Sequence, residues 1–263
     1  MKKLVLLLFI TSFSIVFSQN PKLTAVKIDS IRFDGDAFVG YDSFGFYYTI
    51  KNNVFSKIGT LQTLEYKNIS LGKITKVDLQ NPLKIVLFYE NFNTVVILDN
   101  QLNETQKINF SESISPIVAT AIGISSQNQL WVFNSLNQQL GFFDYLNKEY
   151  KTVSVPFVES IKNYSSDFNI FQWIDNKNNW YACDIFGKIK SKGIIPDFEW
   201  IEIINEKQFI YSKDAVLILY DLEKDKKTEI EISEKTFKKF CYKDQILSIF
   251  TTAGITNYKI SIP

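Results

Sequence analysis

The sequence predicts an all-β fold, and within that class a β-propeller of six blades, with five or seven as the neighbouring counts. Three observations lead there. Fourteen or more short runs rich in Ile, Val, Phe and Tyr, broken by Asn, Asp, Lys and Gly, fill the 263-residue chain, and no segment shows a convincing helical period. Pro116, Pro156 and Pro196 stand 40 residues apart, and proline suits a connection or an edge rather than a central strand. A period of about 40 residues with several strands per unit is the spacing of propeller blades.

The first element is a leader. Met1-Lys2-Lys3 is basic, Leu4 to Phe17 is a 14-residue apolar run, and small residues precede Gln19, which together read as a secretory signal peptide cleaved after Ser18. The run is shorter than the ~20 apolar residues of a membrane-spanning helix. No cysteine follows it to carry a lipid anchor, and no later stretch is long and apolar enough to span a bilayer. The expected location is therefore the periplasm, with residues 19–263 as a single propeller domain.

The units follow in order. Cutting at 36, 76, 116, 156, 196 and 236 gives five whole units and a short sixth, Thr236 to Pro263. That piece and Gln19 to Gly35 amount to 45 residues together, so the N-terminal strand is expected to complete the last blade and hide its edge. Inside the units one order recurs: strand, polar tip, strand ending in Asp, then a turn. It is seen around Tyr89 to Asp99, Phe133 to Asp144 and Tyr211 to Asp221. Asp42-Ser43-Phe44-Gly45 and Asp184-Ile185-Phe186-Gly187 form a further pair. Trp131, Phe133, Phe142, Phe143, Trp173 and Trp180 are expected to pack between blades.

Composition removes much chemistry. There is no histidine, which excludes Ser-His-Asp and Cys-His nucleophile systems and every His-ligated metal site. Without Lys2 and Lys3 the chain carries 27 basic and 28 acidic side chains, and Arg32 is its sole arginine, so no nucleic-acid partner is expected. Cys183 and Cys241 read as small buried hydrophobes, their pairing left open. Asp34-Gly35-Asp36 begins like a calcium loop but lacks the later oxygen donors, and reads as a solvated turn. No phosphate loop or metal motif appears, so no catalytic residue, metal or cofactor is assigned. Phe44, Phe92 and Phe186 occupy hairpin tips, where small polar residues are usual, and are the candidate partner-binding residues. They are expected to open on one face as a shared apolar patch.

The stretch Leu71 to Tyr89, continuing from Asn93 to Glu104, resembles a family of small exported proteins of flavobacteria and their relatives, and within it the plug subunits of the type 9 secretion translocon. The resemblance covers roughly residues 35 to 155 well and the rest loosely. It implies a non-enzymatic periplasmic protein, a monomer within a complex, whose partner is a large outer-membrane β-barrel. It carries no catalytic motif. Two other functions fit the composition: a glycan-active propeller enzyme, glycosidase or lyase, using Asp/Glu pairs, and a periplasmic ligand-binding scaffold.

Overall fold

A computed structural model describes residues 22–114 and 116–262, and the leader expected over residues 1–18 lies outside them. Two short strands open the chain, β1 (Lys22–Thr24) and β2 (Val26–Arg32). Blade 1 follows as β3 (Ala37–Tyr41), β4 (Tyr47–Lys51), β5 (Val54–Ile58) and β6 (Thr63–Tyr66). Blade 2 comprises β7 (Lys76–Asp78), β8 (Ile85–Tyr89), β9 (Thr94–Leu98) and β10 (Glu104–Asn109). Blade 3 is β11 (Ala119–Ile124), β12 (Gln129–Asn134), β13 (Gln139–Asp144) and β14 (Glu149–Thr152). Blade 4 is β15 (Ile161–Ser166), β16 (Ile170–Asp175), β17 (Asn179–Asp184) and β18 (Ile189–Ile194). Blade 5 holds β19 (Trp200–Ile203), β20 (Gln208–Lys213), β21 (Val216–Asp221) and β22 (Lys226–Glu231). The last three strands are β23 (Lys239–Lys243), β24 (Ile246–Thr251) and β25 (Gly254–Lys259).

Each blade is an antiparallel meander whose first strand lies innermost, and the first strands of blades 2 and 3, 3 and 4, 5 and 6, and 6 and 1 touch around the axis. The chain is thus a six-bladed β-propeller. All three periodic prolines fall in links between blades. The sixth sheet runs β2-β25-β24-β23, with Val26 to Arg32 antiparallel to Lys259 to Gly254. Just before it, β1 adds a parallel fifth strand to blade 5, pairing Lys22 with Glu229 and Thr24 with Glu231.

The core explains why the middle strands read as unbroken apolar runs. Successive residues of a strand point to opposite faces, and both faces of a blade are covered by neighbours. In β12, Leu130 and Val132 join the cluster shared with blade 2, while Trp131 and Phe133 join the one shared with blade 4. Six such clusters fill the six seams. Aromatics dominate the seam of blades 3 and 4, where Phe157 stacks on Trp173 at 4.0 Å and Trp131 meets Phe142 at 4.2 Å. The seam of blades 6 and 1 is the thinnest, with only Phe38, Phe250 and Ile255 fully buried.

Recurrent aspartates set the turns. In Asp42-Ser43-Phe44-Gly45, Asp42 Oδ1 accepts from the N–H groups of Phe44 and Phe46. Asp184 does the same for Phe186 and Lys188. Both turns close through a glycine in the left-handed region, Gly45 at φ +84° and Gly187 at +80°. Asp99 and Asp144 cap the equivalent turns of blades 2 and 3 by accepting from backbone N–H groups two to four residues on.

Candidate functional site: the central channel and two unlike faces

The inner strands enclose a channel with a cavity of about 590 Å³. The two-residue period places alternate side chains toward it: Lys76 and Asp78 from β7, Tyr164 and Ser166 from β15, Trp200 and Glu202 from β19, and Lys239 and Cys241 from β23. Their in-between neighbours Ile201 and Phe240 lie in the seams.

Asp78 is held structurally. Its Oδ2 accepts from the Ile124 N–H at 2.8 Å, tying blade 2 to blade 3, and its Oδ1 accepts from the Gln80 N–H at 2.8 Å. Glu202 is freer, receiving only a 3.4 Å hydrogen bond from Trp200 Nε1. The two lysine heads rest over rings: Lys76 Nζ lies 4.7 Å from the Tyr164 centroid and Lys239 Nζ 4.6 Å from that of Trp200. Among the described residues no salt bridge joins either lysine to Glu202.

Asp78, Glu202 and Lys76 touch channel solvent, yet protein surrounds them, and that partial loss of hydration shifts their titration. Desolvation pushes the Glu202 carboxyl above its ordinary range, with Lys239 and Lys76 pulling it part of the way back. Desolvation lowers Lys76, Glu202 opposing it and Lys239 adding to it. Asp78 is raised by desolvation against its two backbone hydrogen bonds. Burial pushes the Cys241 thiol up to about 12, so it stands neutral at physiological pH. Cys241 is thus a half-buried channel residue rather than the core hydrophobe expected, whereas Cys183 is fully buried, and both are free thiols. Asp34 and Asp36 brace a neighbouring turn, Asp34 pairing with Lys51 at 3.1 Å and Asp36 accepting from the Asn52 N–H at 2.7 Å.

The candidate phenylalanines are exposed, 64% for Phe44, 49% for Phe92 and 86% for Phe186, but they form no shared patch. In a four-stranded meander, the turns after the first and third strands open on one face, here called the front. The turn after the second strand and the link to the next blade open on the back. Phe44 follows β3 and Phe186 follows β17, both on the front, on blades 1 and 4 at opposite sides of the ring. Phe92 follows β8 and lies on the back, close against Gly72. The expectation of one common face is corrected by the alternation of turns along a meander.

The back face carries the apolar feature that hairpin tips alone do not reveal. Ile69, Ile114, Val155 and Val158 stand exposed in the links around blades 2 to 4, with Phe92 and Leu136 in the turns between them. The back of blades 5 and 6 carries no large exposed apolar side chain in its links among the described residues. The exposed apolar side chains of the back thus gather in a crescent on blades 2 to 4, extended by Ile194 at the end of β18, with Val216 beside the corresponding turn of blade 5. The channel charges were also missed from sequence. Their signal is the alternation Lys76-x-Asp78, Trp200-x-Glu202 and Lys239-x-Cys241, each soon after a unit boundary.

No protein-family model matches the chain, and no curated protein sequence matches it, so the flavobacterial resemblance rests on the stretch from Leu71 to Glu104. Among the described residues no helix is long and apolar enough to cross a membrane. Solved structures do match. One is a catalytically inactive histidine-to-alanine virginiamycin B lyase of Staphylococcus aureus with quinupristin, at 11% identity, TM-score 0.56, covering 94% of this chain and 97% of that one. YCF48 bound to D1 peptide matches at 10% identity and TM-score 0.57, covering 93% and 100%. BamB of Moraxella catarrhalis matches at 9% identity and TM-score 0.51, covering 89% and 97%. At these identities the likeness is one of fold: a β-propeller that elsewhere includes both a lyase and a peptide-bound protein.

Proposed function

We propose that the chain is a non-catalytic, exported protein-binding propeller that docks on a large outer-membrane β-barrel and closes its periplasmic mouth, as a plug of the type 9 secretion translocon. The observation that carries the protein-binding reading is the exposed apolar crescent on the back of blades 2 to 4. Several large apolar side chains exposed on one side of one face suit contact with another macromolecule. Its polar surroundings suit an interface that can release, as closing and opening a pore requires. A rigid disc roughly 40 Å across, the size of a compact domain of this length, is a fitting stopper for a wide pore. YCF48, a propeller of similar fold, is itself bound to a peptide. The type 9 assignment comes from the Leu71 to Glu104 resemblance.

A two-carboxylate glycan enzyme is less well supported. Of the two channel carboxylates, Asp78 is bound on both oxygens by backbone N–H groups, which leaves Glu202 alone. The matching lyase is inactivated by loss of a histidine, and this chain has none.

The test is an affinity pull-down of the tagged chain from detergent-solubilised envelopes of its own host, beside an Ile69→Ser/Ile114→Ser/Val158→Ser variant. A stoichiometric large outer-membrane barrel with the parent chain and its loss with the variant is the expected result. A parent chain that comes down alone refutes a stable plug complex. A barrel retained equally by the variant removes the crescent as its docking face.

A further inference from the structure

We infer that the central channel is a binding site for a small polyhydroxy carboxylate of the sugar-acid kind, with its carboxylate held by Lys76 and Lys239 and a hydroxyl donated to Glu202. The channel cavity of about 590 Å³ lies within the roughly 300–1,000 Å³ of ordinary small-ligand sites. Its wall is electrically unlike the rest of the molecule. Lys73, Lys76, Lys239 and Lys243 face it against only Asp78 and Glu202, in a chain whose charges otherwise nearly balance. Asp78 spends both oxygens on backbone N–H groups, so the negative charge left to meet a ligand is that of Glu202.

The central charges are close enough to perturb one another, yet they are not paired. Lys76 and Lys239 both pull on Glu202, and Lys239 repels Lys76. Each ammonium instead rests over an aromatic face, and the Lys76 head reaches only a 3.5 Å contact with the Tyr164 carbonyl. One exposed and one half-buried ammonium, neither of them ion-paired, beside a half-buried carboxylate leave charge-assisted hydrogen bonds open to a ligand. A ligand bearing both a carboxylate and hydroxyl donors satisfies all three together, since an ionised carboxylate side chain accepts hydrogen bonds only and an ammonium donates only. A bare anion meets the two lysines but is repelled by Glu202. A neutral sugar leaves both lysines unsatisfied. The seam cavity between blades 6 and 1 differs in this respect, because its central Asn257 already has protein partners on both its amide nitrogen and its oxygen.

The experiment uses the full mature chain and the fluorescence of Trp200. It is the tryptophan that lines the channel, while Trp131, Trp173 and Trp180 are buried in seams. Sodium glucuronate, glucose and inorganic phosphate are titrated at matched ionic strength. A saturable change with glucuronate, weakened about tenfold or more by Lys76→Gln or Lys239→Gln, is expected, as loss of one charge-assisted hydrogen bond is on the order of 1.5–3 kcal/mol. Glu202→Gln should weaken glucuronate while improving phosphate. No saturable response to glucuronate, phosphate binding as tightly as glucuronate, or indifference to both lysine variants would each overturn the inference. Far-UV circular dichroism and melting of each variant guard against a folding defect, and Glu202→Gln, being isosteric, keeps the test open if a lysine variant misfolds.

Discussion

Ring closure should depend on one amide. Asn257 is 4% exposed in β25 at the thin seam of blades 6 and 1. Its Nδ2 donates to Asp29 Oδ1 of β2 at 2.7 Å and to the Tyr41 hydroxyl of β3 at 2.8 Å. Its Oδ1 accepts from the Ser248 hydroxyl of β24 at 2.8 Å. One side chain therefore ties the N-terminal strand, blade 1 and the C-terminal blade. Asn257→Ala removes all three contacts. The Asp29 bond contributes little, because that carboxylate is exposed and water replaces the amide. Tyr41 borders the seam cavity of about 630 Å³, and it too can be rehydrated. Ser248 borders the same cavity but is only 2% exposed, so its hydroxyl is the least able to find water. One lost buried hydrogen bond and one stranded hydroxyl come to about 2–3 kcal/mol. At roughly 2–4 °C per kcal/mol for a domain of this size, the melting point should fall by about 4–12 °C. Urea unfolding gives the free energy, and hydrogen exchange gives the location. Amides of β2 and β25 should lose protection first, ahead of β12 and β13. A loss below about 0.5 kcal/mol, the usual range of a neutral surface change, or exchange that quickens evenly in all six blades, would refute the reasoning.

Four other predictions concern the channel, the turns and the front face. Glu202→Gln should raise stability at neutral pH, because the folded state holds that carboxyl above its ordinary 4.5 and so penalises the charged form; in urea melts the gain should fade as pH falls through the raised folded value and be nearly gone by 4.5. Lys76→Met should likewise stabilise at pH 7, since the folded state lowers that ammonium from 10.5, and the gain should shrink as pH rises through the lowered folded value and be nearly gone by 10.5. Gly187→Ala should cost more in urea unfolding than Gly45→Ala, though both glycines have positive φ, because a Cβ at Gly187 meets the Val153 carbonyl at 2.0 Å while that at Gly45 meets nothing within 4 Å. The Gly45 change should cost about 1 kcal/mol, the strain of the left-handed backbone alone. Phe44→Ser with Phe186→Ser should leave stability within about 0.5 kcal/mol in the same measurement, as neither ring is buried.

The ring was legible because its period is carried by residues with few alternatives. Pro116, Pro156 and Pro196 mark links because proline fits poorly inside a sheet, and the boundaries at 36, 76, 116, 156, 196 and 236 all fall in a link or at the first residue of an inner strand. The aspartates ending the third strands were legible for a similar reason, since a short carboxylate that accepts from its own backbone is a local device. The faces were not legible. Phe44, Phe92 and Phe186 look alike as turn residues, and only their place as first, second or third turn of a meander decides which side they occupy. A shift of one turn moves a side chain to the opposite face. The crescent was hidden differently, since Ile69, Ile114, Val155 and Val158 lie in irregular links where no periodicity distinguishes an outward from an inward side chain.

The channel charges show how site chemistry escapes a reading based on apolar pattern. Two of the inner strands are very short, three residues in β7 and four in β19, so their alternation spans only two channel-facing positions each. Lys76 and Asp78, or Trp200 and Glu202, are too few to stand out in a chain that is 22% charged. Only closure of the ring brings the first strands of separate blades to one axis, where Lys76 meets charges more than 120 residues further along the chain. Glu202 and Lys239 come from adjacent blades 5 and 6, and Lys76 comes from blade 2, so opening the ring at the seam of blades 6 and 1 parts Lys76 from the other two. This ties the channel to the seam at Asn257. If loosening that seam leaves the fold largely intact, Asn257→Ala should weaken glucuronate binding without touching a channel residue, whereas Phe44→Ser should leave it unchanged. Equal effects of the two substitutions would mean that the channel groups do not act through ring closure.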